Sequence, residues 1–198
     1  MFHKLVLASN NQGKLRELSA LLAPLEIEVL PQSSFDVPEA EEPHVTFVEN
    51  ALAKARHAAA HTGLPALADD SGLCVTALGG APGVRSARLG GEPSNDLRNN
   101  ERLLELLKDQ PDRRAHYYCV LVLVRHADDP QPLIAEGEWH GEIVDAPRGA
   151  GGFGYDPYFW LPDLEQTAAE LPAEMKNLLS HRATAFRQLA DRLKNRTE

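Results

Sequence analysis

The chain has 198 residues, 43% hydrophobic and 25% charged, an ordinary globular composition that excludes disordered, collagenous and repeat architectures. At this length it buries roughly 70% of the surface its unfolded form exposes, so it needs neither metal nor disulfide merely to fold, and a metal would serve chemistry. Twenty basic against twenty-nine acidic side chains give a net charge of −9, a poor electrostatic footprint for a nucleic-acid partner.

Met1 to Ala8 is too short an apolar run for a signal peptide, and no stretch approaches the ~20 residues of a membrane span, so a cytoplasmic protein without a membrane partner is expected. Lys4 to Ser9 is apolar and β-prone. After Asn10-Asn11-Gln12-Gly13 the spacing of Leu15, Leu18, Leu21 and Leu22 becomes helical. Such a strand–turn–helix can cradle phosphate, because turn and helix N-terminal amides point at an anion and Lys14 adds a full charge. It is not a Walker A loop, since the first glycine is missing and Leu15 stands where the hydroxyl belongs. The plainer alternative is a βα turn whose Asn and Gly are chosen for positive φ.

Glu26 to Leu30 alternates toward a second strand, and Pro31 to Pro43 is a loop carrying Asp36, Glu39, Glu41 and Glu42. Thr46 to Glu49 has capping-box spacing, which predicts a helix to about His61 ended by Gly63. Its periodicity puts Phe47, Ala51, Leu52, Ala55 and Ala58 on one arc, and Asn50, Lys54, His57 and His61 on another.

Leu64 to Ala68 and Leu73 to Leu78 read as strands flanking Asp69-Asp70-Ser71-Gly72. Paired carboxylates at a strand end suit Mg²⁺ or Mn²⁺, completed by an acidic-loop carboxylate such as Glu41 or Glu42, although alternation lets only one of the pair face a given cleft. Asp-Ser-Gly is equally an ordinary hairpin turn. A glycine-rich loop, Gly79 to Gly83, follows, then helical spacing of Leu97, Leu103, Leu104, Leu106 and Leu107 from about Ser94 to Lys108. His116 to Arg125 and Leu133 to Val144 read as strands, the second antiparallel to the first. Cys74 and Cys119, both in apolar runs, read as small core residues and not as a disulfide.

Gly149 to Pro157 places four glycines within residues 149–154 before alternating aromatics. That pattern admits a ligand close to the backbone, with Phe153 or Tyr155 as a face on which a base stacks, or else a long surface turn. From Pro172, a single helix would align Met175, Leu178, Leu179, Phe186, Leu189 and Leu193 and put Arg182 within that apolar stripe. Arg182 must then meet an anionic or carbonyl partner, snorkel at the edge, or see the helix break at Ser180-His181. Asn195-Arg196-Thr197 matches a glycosylation sequon but carries no weight without a secretion signal. Early alternation of strands and helices followed by hairpins predicts one α/β domain over residues 1–198, a mixed sheet flanked by helices.

In order along nearly the whole chain, six segments resemble the inosine triphosphate pyrophosphatase family, also called XTP/dITP diphosphatases. They are Leu7 to Lys14, where Ser9, Asn11 and Lys14 fit an [ST]-x-N-x-x-K loop; Thr46 to Ala51; Ala68 to Leu73; Gly79 to Gly83 with Ser86-Ala87-Arg88; Gly151 to Pro157; and Ser180-His181-Arg182. The resemblance implies an elongated mixed β-sheet of two lobes with a central cleft, Mg²⁺ (or Mn²⁺) dependence, a homodimer, and cleavage of ITP, dITP or XTP to the monophosphate and pyrophosphate. Carried onto this sequence, it makes Asp70 the catalytic base and a metal ligand, with Glu41 a second ligand. Ser9, Asn10, Asn11, Gln12, Gly13 and Lys14 would hold the polyphosphate. Ser71, Phe153, Gly154, Tyr155, Asp156, Lys176, His181 and Arg182 would bind the nucleotide, with Lys54 and Asp69 in supporting places. Asn10 departs from a frequent glycine, and Arg85 from an aromatic that often precedes Ser-Ala-Arg. The alternatives are a Maf-like pyrophosphatase of other modified nucleotides and a non-catalytic nucleotide-binding module.

Overall fold

The structure, a computed structural model, describes residues 2–25 and 27–195; Glu26, where the second strand was expected to begin, and Arg196 and Thr197 of the sequon lie outside them. The chain opens with β1 (Lys4–Leu7), whose last three residues are buried, and α1 (Gln12–Leu22). Asn11 caps α1 at φ −74°, accepting from the Lys14 amide, so this asparagine serves as a cap and not as a left-handed turn residue. β2 (Glu28–Pro31) pairs parallel with β1. α2 (Phe47–Thr62) starts as its capping box predicts: Thr46 Oγ accepts from the Glu49 amide, its hydroxyl donates to Glu49 Oε2 at 2.5 Å, and Gly63 closes the helix at φ +66°. Asn50, expected on the polar arc, is buried instead, and its amide is satisfied by the backbone of His44.

The segment around the paired aspartates is one strand and not two with a turn between. β3 (Ala66–Val75) runs unbroken through Asp69-Asp70-Ser71-Gly72, with Ala66 to Asp70 all buried, because both carboxylates find cationic partners along the strand. Gly72 is not a turn glycine either. A Cβ there would fall 2.3 Å from the Gly83 carbonyl oxygen and 2.5 Å from Ser86 Oγ, so the position demands close approach of another segment.

α3 (Asp96–Leu107), capped by Asn95, buries Leu103 and Leu107 as its periodicity predicts. It leaves Leu97 65% exposed and buries Asn99 and Asn100, whose side chains bond the backbone of Gly90 and Gly154. β4 (Arg114–Val124), β5 (Leu133–Ile143), β6 (Phe159–Leu161) and β7 (Gln166–Thr167) follow, then α4 (Ala173–Leu179) and α5 (His181–Asn195). The C-terminal stripe is therefore not one helix. Ser180 is extended between α4 and α5, and Met175 and Leu178 of α4 are exposed.

The strands form a seven-stranded mixed sheet in the order β2-β1-β3-β4-β5-β6-β7, parallel where β1 meets β2 and β3, antiparallel where β6 meets β5 and β7. The chain divides into two compact units. The first comprises Met1–Asp70, Cys119–Gly137 and Arg182–Glu198, the second Ser71–Tyr118 and Glu138–His181. Leu5, Leu7, Leu18, Leu67, Leu121, Phe186 and Leu189 centre the core of the first. In the second, Leu73, Leu103, Trp139, Tyr155, Phe159 and Leu161 pack together. Both cysteines are free, Cys119 buried and Cys74 half-buried. Among the described residues, no helix is long and apolar enough to cross a membrane.

Candidate active site

The first unit holds the loop from Ser9 to Lys14 and both aspartates. Ser9 Oγ accepts from the Asn11 amide at 3.2 Å and Asn11 Oδ1 from the Lys14 amide at 3.0 Å. These bonds shape the turn at the start of α1, while Asn10, Asn11 and Gln12 stay exposed and Gly13 is buried. A helix N-terminus with exposed residues around it is a fitting place for phosphate. Lys14 reaches from the same turn to Asp69 Oδ1 at 2.5 Å.

Consecutive residues of a strand face opposite ways, and the two aspartates follow that rule with different partners. Asp69 Oδ2 accepts from Arg182 Nε at 2.8 Å and from Cys119 Sγ at 3.2 Å. Burial alone would raise the Asp69 carboxyl, but Arg182 and Lys14 outweigh it and hold the group well below the usual carboxylate range. Arg182, 1% exposed, also donates through Nη1 to Glu17. The arginine within the apolar stripe is thus answered by two carboxylates.

Asp70 faces Lys54. The Lys54 ammonium donates to Asp70 Oδ1 at 2.7 Å, Glu42 Oε1 at 2.8 Å and the Asp69 carbonyl at 3.0 Å. Burial opposes the charge on Lys54, but Asp70 and Glu42 prevail and its pKa is raised. Burial lifts the Asp70 carboxyl above its ordinary value against the pull of Lys54 and Lys14, and the neighbouring Glu42 pushes the same way. Among the described residues, Asp70 Oδ2 is buried and accepts no hydrogen bond, an unmet acceptor of the kind a cation or water satisfies. Of the two acidic-loop candidates, Glu42 is half-buried and reaches Lys54 beside Asp70, whereas Glu41 is exposed. Among the described residues no three His, Cys, Asp or Glu side chains gather as a ready-made metal cage. An oxygen pair from Asp70 and Glu42 still suits Mg²⁺, which takes one or two carboxylates and completes its shell with water and substrate phosphates.

The second unit gathers the remaining candidates around Asp156, which is 2% exposed. Its Oδ2 accepts from Lys176 Nζ at 2.6 Å and the Phe153 amide at 2.9 Å, and its Oδ1 from the Tyr117 hydroxyl at 3.1 Å. The Lys176 ammonium also lies 4.7 Å from the centroid of the half-buried Phe153 ring. Gly152, at φ +72°, is required here: a Cβ would sit 2.0 Å from Asp156 Oδ2. Tyr155 is buried and donates to the Ser86 carbonyl at 2.7 Å, so of the two aromatics Phe153 is the one with an accessible ring. Gly154 is pinned by Asp96 and Asn100. His181 is buried with its ring stacked on Tyr117, and Ser71 is half-buried where β3 enters this unit.

Sequence reasoning did not single out Glu17, Tyr117 or, beyond a core place, Cys119. Glu17 stands three residues after Lys14 on the same helical face, a signal that could have paired it with a cation. Nothing local marks Tyr117, whose partners Asp156 and His181 lie 39 and 64 residues on.

A profile of the Ham1 family matches residues 5–192. A protein of Aromatoleum aromaticum called dITP/XTP pyrophosphatase is 70% identical over 193 residues, covering 98% of each chain, and one of Ralstonia nicotianae with the same name is 66% identical over 194 residues, covering 96% of each. The solved structure of a HAM1 protein from Coxiella burnetii superposes with a TM-score of 0.91 at 51% identity, over 98% of this chain and 100% of that one. The Staphylococcus aureus Ham1 protein gives 0.86 at 39%, over 98% and 99%. With sequence and fold matched from end to end, the chain belongs to the Ham1 family.

Proposed function

We propose that the protein is a divalent-metal-dependent pyrophosphohydrolase that converts dITP, ITP or XTP to the nucleoside monophosphate and pyrophosphate. The observation that carries this reading is the unmet, buried Oδ2 of Asp70 beside an ammonium and a second carboxylate. It is supported by relatives at 63–70% identity that bear the name dITP/XTP pyrophosphatase.

In this reading Lys14 and the amides opening α1 neutralise and orient the polyphosphate. Asp70 Oδ2 takes a proton from a water whose oxygen is delivered to phosphorus as the bond between the α and β phosphates breaks. The bonding pair leaves with pyrophosphate. A carboxyl raised by burial is a stronger base than a free one and suits that task. Lys54 holds Asp70 Oδ1, fixing which oxygen faces the water. A divalent cation held by Asp70 and a carboxylate of the acidic loop would supply charge neutralisation to the substrate and to the departing pyrophosphate. Phe153 offers a face for the base, and Lys176 and His181 supply donors for a 6-keto oxygen. A 6-amino group answers them with donors of its own and leaves buried groups unpaired, which is how a site rejects such an analogue strongly.

The test is incubation with Mg²⁺ and, separately, dITP, XTP, ATP, GTP and dTTP, resolving pyrophosphate from orthophosphate. Monophosphate and pyrophosphate made preferentially from dITP and XTP are expected. Orthophosphate release or equal use of ATP overturns the reading, and preference for dTTP points to the Maf-like alternative.

A further inference from the structure

Tyr117, on β4, is 8% exposed and touches two of the groups assigned to base recognition. Its hydroxyl donates to Asp156 Oδ1, and its ring lies on the His181 imidazole with centroids 4.8 Å apart and planes 12° from parallel. Phe159 meets the same ring at 4.6 Å in a tilted arrangement, so the tyrosine has little room to turn.

We propose that Tyr117 is a positioning residue for base discrimination, holding Asp156 through its hydroxyl and His181 through its ring so that donors far apart in the chain keep one spacing. The inference rests on the assignment of Phe153, Asp156, Lys176 and His181 to the nucleotide base. An imidazole stacked on a fixed ring has lost its swing before any ligand arrives. Asp156, held at Oδ1 by Tyr117, in turn holds the Lys176 ammonium and the Phe153 amide at Oδ2. Without the hydroxyl the carboxylate is anchored on one side only, and rotation about its Cβ–Cγ bond carries the ammonium with it. Donors that can move accommodate a 6-amino group by turning aside. Donors that cannot must stay unpaired, so rigidity of this set converts into selectivity. A tyrosine that merely filled the core would place its hydroxyl anywhere it could be satisfied, with no bearing on ligand affinity.

The experiment is steady-state kinetics of the wild-type protein, Tyr117→Phe and Tyr117→Leu with dITP and dATP in Mg²⁺, alongside thermal melts. Phe keeps volume and stacking and loses only the donor. Its dITP KM is expected to rise about 5-fold, roughly what one net hydrogen bond is worth, with kcat unchanged and the preference for dITP over dATP reduced. Leu, which also removes the stack, is expected to go further in both. A Phe variant with wild-type KM and wild-type preference, whether or not its melting temperature falls, overturns the proposal and leaves Tyr117 a packing residue. Wild-type protein that makes pyrophosphate from neither substrate fails at an earlier step, removing the proposed activity and this inference together.

Discussion

Arg182 Nε donates to Asp69 Oδ2 at 2.8 Å, and neither side chain is more than 2% exposed. The pair joins the start of α5 to the middle of β3, 113 residues apart in sequence. Because Asp69 also receives Lys14 and Cys119, and Arg182 also reaches Glu17, the pair is the centre of a buried network that ties α5 and β3 to the first turns of α1. Removing one member of such a pair leaves the other charged and unanswered in a medium that solvates it poorly.

Arg182→Met is therefore expected to destabilise the protein by about 3 kcal/mol or more at neutral pH, and the double variant Arg182→Met with Asp69→Asn to recover part of that loss. Urea denaturation of the four proteins measures the coupling. Strict additivity would mean that the contact contributes nothing as a pair.

The pH dependence has a definite sign. Against the opposing effect of burial, Arg182 and Lys14 hold the Asp69 carboxyl well below its unfolded value, so its contribution to stability is fully present above the unfolded pKa of about 3.9 and is lost as pH falls through the folded one. In the presence of a chelator, the stability gap between wild type and Arg182→Met should be flat from pH 5 to 7 and narrow below about pH 4. A gap that widens on acidification contradicts the assignment.

Gly152 tests the second unit. Its positive φ disfavours any side chain, and the added Cβ would fall on Asp156 Oδ2. Gly152→Ala should force the carboxylate off Lys176 and the Phe153 amide, lowering stability by about 1–3 kcal/mol and raising the KM for dITP. Gly79→Ala is the control for backbone strain alone, since φ there is +63° with open space around it. Equal effects of the two on KM would detach Asp156 from substrate binding.

Much of this was legible in the chain itself. The capping box at Thr46, the Asn-rich turn and the leucine spacing of α1 are local signals, and local structure followed them. From sequence, Asp69 to Gly72 reads as a break between two strands, a strand end or a turn, because acidic residues beside glycine disfavour sheet in isolation. Lys14, Lys54 and Arg182 override that preference from 55, 16 and 113 residues away. The break at Ser180 was visible only as a conflict, an arginine within an apolar stripe, and the structure resolves it with a new helix start and two carboxylates. Leu97 and the leucines of α4 misled periodicity in the opposite sense: each falls at helical spacing, yet Leu97, Leu178 and Leu179 are exposed, because an apolar residue at a stripe's edge can stay on the surface.

The acidic loop supplies the last prediction. Resemblance pointed to Glu41 as the second metal ligand, yet Glu42 is the carboxylate that shares Lys54 with Asp70, while Glu41 lies exposed. Glu42→Gln should raise the Mg²⁺ concentration for half-maximal activity about 10-fold, in line with the loss of a carboxylate ligand or its close support, and Glu41→Gln should leave it within about 2-fold. Asp70→Asn separates ligand from base: at saturating Mg²⁺ its turnover should still fall by about 100-fold or more, with melting temperature near that of wild type. If Glu41→Gln, and not Glu42→Gln, shifts the Mg²⁺ requirement, the acidic loop must rearrange when substrate binds, and the Lys54–Glu42 contact is then a resting-state arrangement.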